Sequence, residues 1–80
     1  MKLKILAFGI TKDIFGTSEK EIEVDEGLTV SQLKNILEEN FPGLKKLNSY
    51  FIAIDEEYAE EDQVITSTNE IAIIPPVSGG

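Results

Sequence analysis

The group in this sequence best suited to reaction is the carboxylate of Gly80. The chain has neither cysteine nor histidine, so it offers no thiolate nucleophile, no sulfur ligand and no imidazole base. Chemistry carried by the chain alone would rest on carboxylates, lysine or tyrosine. The last six residues, Pro75-Pro76-Val77-Ser78-Gly79-Gly80, suit a different arrangement. Two prolines cannot extend a strand ladder and stiffen the exit from it. Ser78, Gly79 and Gly80 let bare backbone enter a channel too narrow for side chains. Six extended residues reach roughly 20 Å. The Gly80 carboxylate becomes an acyl donor only when its oxygen is made a leaving group, as adenylation by ATP does. Attack by a sulfur donor then gives a thiocarboxylate, and attack by an amine gives an amide. A terminal Gly-Gly taken alone is better read as an inert tail or a scar, and it is the preceding Pro-Pro, the missing nucleophiles and the strand order that reverse this.

With 15 acidic and 7 basic residues the net charge is −8. That disfavours nucleic acid, whose phosphates need lysine and arginine to displace counterions. It suits a basic protein partner, or simply a solvated surface. No apolar run approaches the ~20 residues of a bilayer span. The opening MKLKILAFG is too short for a signal peptide and lacks a small-residue cleavage site. A cytoplasmic location without membrane contact is expected. The acidic run Asp55, Glu56, Glu57, Glu60, Glu61, Asp62 lacks the glycine and ligand spacing of a calcium loop. The chain is expected to bind no metal and no cofactor.

The elements that must present the tail follow from periodicity. Residues 2–8 alternate, with Leu3, Ile5 and Ala7 on one face and Lys2, Lys4, Leu6 and Phe8 on the other, which predicts a strand. Gly9 and Gly16 punctuate the next stretch, leaving room for one helical turn. KEIEV (20–24) predicts a second strand. LTVSQLKNILEENFPG predicts the main helix. Thr29 and Gln32 fit a capping box, Leu28 and Leu33 a hydrophobic staple, and Asn40, Pro42 and Gly43 a stop. Val30, Leu33, Ile36, Leu37 and Phe41 form its apolar stripe, expected in the core. SYFIAID predicts a third strand, Tyr58 and Ala59 a short fourth, and EIAII the last. The order β-β-α-β-(β)-β predicts an α+β chain of the ubiquitin-like β-grasp kind. In it a mixed sheet and one main crossing helix make a domain over 1–74, with a free tail over 75–80.

Four stretches carry a family resemblance: AFGITKDIFGT, LTVSQL, IAIDEEYA and the ending PPVSGG. Over nearly its full length the chain resembles the MoaD family, the small subunit of molybdopterin synthase. Bare Gly-Gly is shared with thiamine sulfur carriers and ubiquitin-like protein modifiers, whereas the Pro-Pro-Val ending is more particular to this family. The resemblance implies that Gly80 is adenylated by an E1-like, MoeB-like enzyme that consumes ATP, and then becomes a thiocarboxylate. It implies that Gly79, Ser78, Val77, Pro76 and Pro75 insert into a MoaE-like large subunit in a heterotetramer. Sulfur then passes to cyclic pyranopterin monophosphate to build the dithiolene. On this view the chain is not catalytic alone. Family members usually carry Asn at the position of Asp55, and often a Gly-Asp-Glu-like turn where this chain has STNE.

One helix cannot cover both faces of a sheet. Strand parity puts Leu6 and Phe8 on the outward face, joined by Ile74 if Ile71 and Ile73 pack under the helix. An exposed apolar cluster there marks an interface, unless the 10–16 segment covers it. The resemblance points the same way, with Phe8, Tyr58 and Ile74 matching the family's docking positions.

Overall fold

The computed structural model describes residues 1–47 and 49–75. Five strands form one sheet: β1 (Lys2–Ala7), β2 (Glu19–Glu23), β3 (Phe51–Ile54), β4 (Glu57–Tyr58) and β5 (Ile71–Ile74). Their spatial order is β2-β1-β5-β3-β4. β1 and β5 pair in parallel at the centre, with Ile5 opposite Ile71 and Ala7 opposite Ile73, and the other pairs are antiparallel. The parallel pair requires a crossover, and the long helix α2 (Val30–Asn40) supplies it.

Period two decides which face each strand buries. Leu3, Ile5 and Ala7 of β1, Ile52 and Ile54 of β3, and Ile71 and Ile73 of β5 are all buried. From the helix side come Val30, Leu33 and Leu37, joined by Leu28, Leu44 and Ile65 in one cluster. Ile36 and Phe41, expected in the same stripe, are only partly buried at its margin. Phe41 instead packs against the buried Phe15, ring centroids 4.5 Å apart. The capping box forms as the sequence predicts. Thr29 Oγ1 accepts from the Gln32 N–H at 3.3 Å, and the Thr29 N–H donates to Gln32 Oε1 at 2.9 Å.

Three elements differ from expectation. The 9–16 stretch is a helix proper, α1 (Ile10–Phe15), closed by Gly16 in the left-handed conformation at φ 76°. The short strand runs over Glu57–Tyr58 instead of Tyr58–Ala59. After α2 the chain makes an unexpected 3-10 turn, Pro42–Lys46, which buries Leu44 and so closes the base of the core.

Asp55 and Glu56 form the two-residue loop between β3 and β4, both at positive φ (52° and 72°). That geometry matches the twist of a tight hairpin but costs a side-chain-bearing residue. Side-chain bonds offset the cost. Asp55 Oδ1 accepts from the Glu70 N–H and Oδ2 from Asn69 Nδ2, each at 2.8 Å. The loop is thereby tied to the start of β5.

Candidate docking face and tail root

The sheet face turned away from α2 is divided. Around the start of β1 it is charged: Lys2 lies opposite Glu23 and Lys4 opposite Glu21. Lys4 Nζ also meets Glu19 Oε1 at 3.1 Å. That hydrogen bond holds the Lys4 ammonium above its usual range. Toward the end of β5 the same face turns apolar. Ala72 lies opposite both Leu6 and Ala53, Ala53 opposite Tyr58, and Ile74 opposite Phe51. All these side chains therefore share one face.

The result is a shallow apolar depression. Ala53 and Ala72, small residues on adjacent strands, make its floor. Phe8, Tyr58 and Ile74 make its walls, and Glu56 and Glu70 its acidic rim. Phe8 is 50% exposed and Tyr58 69%. Helix α1 does not cover them, because it turns Thr11 and Phe15 inward. Aromatic side chains left this exposed beside a flat apolar floor are features of a surface that takes a partner.

Phe8, Tyr58 and Ile74, singled out in the sequence, are thus brought together. Phe51 joins them, 47% exposed, its ring 5.3 Å from that of Tyr58. The signal for Phe51 was in the FIAI alternation, which sets Phe51 and Ala53 against Ile52 and Ile54. Reading it required knowing that β3 neighbours β5. Pro75, the first tail residue, is half-buried and its Cγ lies close to Gly9. Pro76, Val77, Ser78, Gly79 and Gly80 lie outside the described residues.

The titratable groups at this depression are the Tyr58 phenol and the carboxylates of Glu56 and Glu70. Among the described residues no group of three or more Asp or Glu side chains is placed to hold a metal ion. None of the described helices is long and apolar enough to cross a membrane.

Sheet order, crossing helix and central parallel pair together define a ubiquitin-like β-grasp protein. The ThiS family model matches residues 5–80, and the chain belongs to that family. Among its relatives, the molybdopterin synthase sulfur carrier subunit of Homo sapiens is 35% identical over 99% of this chain and 94% of its own. Solved structures share the fold at lower identity. SAMP1 of Haloferax volcanii superposes with a TM-score of 0.83 at 21% identity, each chain covered completely. In a protein–protein complex of subunits 1 and 2 of molybdopterin-converting factor from Helicobacter pylori, the matching chain gives 0.70 at 22%, again with complete coverage of both.

Proposed function

We propose that this protein is the sulfur-carrier subunit of a molybdopterin synthase, with Gly80 as its reacting residue. The observation that carries the reading is the convergence of an exposed apolar depression on the root of a Pro-Pro-Val-Ser-Gly-Gly tail. A docking face and an acyl group on one short lever are what a carrier needs. Relatives matched over 94% and 99% of their own length are sulfur carrier subunits of molybdopterin synthase, which supports the same reading.

The chemistry proceeds in three steps. The Gly80 carboxylate attacks the α-phosphorus of ATP on an E1-like enzyme, releasing pyrophosphate and forming an acyl-adenylate. A sulfur donor displaces AMP and leaves a thiocarboxylate. In the large subunit the sulfur bonds to a side-chain carbon of cyclic pyranopterin monophosphate in place of a carbon–oxygen bond, and water takes the place of sulfur at the acyl carbon, so Gly80 returns as a carboxylate; two such transfers build the dithiolene. The domain supplies binding and reach, while acid–base chemistry falls to the partners. Phe8, Tyr58 and Ile74 dock against the large subunit. Pro75 to Gly79 span the distance to its active site, and the small Ser78 and Gly79 pass where side chains would not.

A second reading is a protein modifier joined through Gly80 to lysines. The structural likeness to a small archaeal modifier protein and the shared Gly-Gly ending favour it. Mass spectrometry of the protein from its native host separates the two. Replacement of one oxygen by sulfur at Gly80 supports the carrier, whereas isopeptide-linked chains support the modifier. Deleting Gly80 should abolish sulfur transfer in a reconstituted synthase, and retained transfer would overturn the proposal.

A further inference from the structure

The turn from β1 into α1 lies within one of the stretches that carry the family resemblance, yet neither docking nor acyl chemistry uses Gly9 or Thr11. Gly9 stands at φ 56°, ψ −131°, a backbone region essentially reserved for glycine. A Cβ at Gly9 would meet Cγ of Pro75 at 3.1 Å, closer than the two atoms can comfortably pack. Thr11 is fully buried. Its Oγ1 accepts from the Phe8 N–H at 2.9 Å. Its hydroxyl proton is shared between the carbonyl oxygens of Phe8, at 2.6 Å, and Ile73, at 3.3 Å. The turn thus grips the end of β5 twice, through a hydrogen bond at Ile73 and through packing at Pro75. Between these two grips Ile74 enters the apolar depression.

We infer that Gly9 and Thr11 are positioning residues for the tail, fixing the direction in which the chain leaves the sheet. The inference rests on the reading of Gly80 as the acyl group. Its physical basis is leverage. Pro75 and Pro76 have fixed φ, so orientation at the root is passed outward. Over the roughly 7 Å that two extended residues span, a swing of ~10° at the root displaces the entry to Val77 by ~1 Å. A misplacement of ~1 Å in a reacting group can cost ~100-fold in rate. Phe8 and Ile74 of the docking face flank the same turn, so the swing is read in the rate with the large subunit saturating, where docking is complete in every variant.

The experiment uses the full chain carrying a chemically prepared Gly80 thiocarboxylate, the large subunit and the pterin precursor in single turnover. Thr11→Val replaces the hydroxyl with a methyl of similar size. It should lower the rate at saturating large subunit at least ~10-fold. Thr11→Ser, which keeps the hydroxyl, should restore the rate. Leu44→Ala serves as the control for lost stability, and below its melting temperature it should transfer at the wild-type rate. Gly9→Ala gives an independent readout, because Gly9 is exposed and its substitution opens no hole in the core. It should show the same fall in saturating rate, and it decides the matter if Thr11→Val does not fold. A wild-type rate in either folded variant, or a change confined to half-saturation, overturns the inference. So does a Leu44→Ala chain slowed as much as Thr11→Val. No transfer by the wild-type thiocarboxylate would instead overturn the carrier reading.

Discussion

Asp55 and Asn69 are joined through their side chains, the Asn69 amide donating to the Asp55 carboxylate at 2.8 Å. Asp55 and the STNE stretch (67–70), both singled out in the sequence, therefore meet in space. An Asn at 55 facing an Asp at 69 would make the same bond with donor and acceptor exchanged. Asp55→Asn alone should set two amide groups against each other and cost ~1 kcal/mol in urea unfolding. Adding Asn69→Asp should recover most of that loss. Additive losses in the double mutant would show that the two side chains are independent.

The proposed docking face should be breakable without breaking the fold. Phe8 and Phe51 are each about half exposed, so Phe8→Asp and Phe51→Asp should keep native circular dichroism. Loss of an aromatic anchor commonly costs ~2 kcal/mol or more at an interface. Calorimetry with the large subunit should therefore register a fall in affinity of at least ~30-fold for Phe8→Asp. Unchanged affinity would move the interface elsewhere.

The acidic rim makes a kinetic prediction. Glu56 and Glu70 flank the depression on a chain of net charge −8, so the partner's matching surface is expected to be basic. Association should slow as salt rises, and Glu56→Gln with Glu70→Gln should flatten that dependence. Stopped-flow association rates at several ionic strengths provide the check. A salt-independent rate in the wild type would rule out steering by the rim.

Tyr50 gives a prediction in alkali. Burial, and after it the hydrogen bond to Glu38, holds its phenol well above the ordinary tyrosine value. The folded chain keeps a proton that the unfolded chain releases above about pH 10. Stability from this source is therefore complete below that pH and falls as pH rises beyond it. Tyr50→Phe should unfold more easily near neutrality, for want of the bond, but lose less stability between about pH 10 and 11. Urea midpoints across that range test it. Parallel curves would show that Tyr50 titrates alike in both states.

The β-grasp order was legible in the sequence because its signals are local. Strand alternation, the Thr29–Gln32 capping box and the apolar stripe of α2 each span a few residues. Phe8 and Ile74 could be placed on one face by parity alone. What could not be read depends on contacts between distant segments. Phe51 belongs to the face only because β3 pairs with β5. Gly9 looks like ordinary punctuation until Pro75 is seen against it. The 3-10 turn at Pro42–Lys46 was hidden by the proline and glycine that mark the helix stop. Asp55 reads as a turn residue, and its two acceptor bonds appear only when the 69–70 segment folds back.

The central place of β5 bears on how the chain folds as it is made. Lys2–Ala7 is synthesised first among the strands and Ile71–Ile74 last, yet the two are neighbours in the middle of the sheet. Until the last strand arrives, β1–β2 and β3–β4 are separate hairpins, each with an open edge, and the core lacks Ile71 and Ile73. The closing contacts join the two extremes of the sequence, which slows the search for them. A nascent chain cannot complete its core until residues 71–74 have left the ribosome. The strand that completes the sheet also leads directly into residues 75–80, so on the proposed carrier role cooperative folding and presentation of Gly80 depend on the same segment.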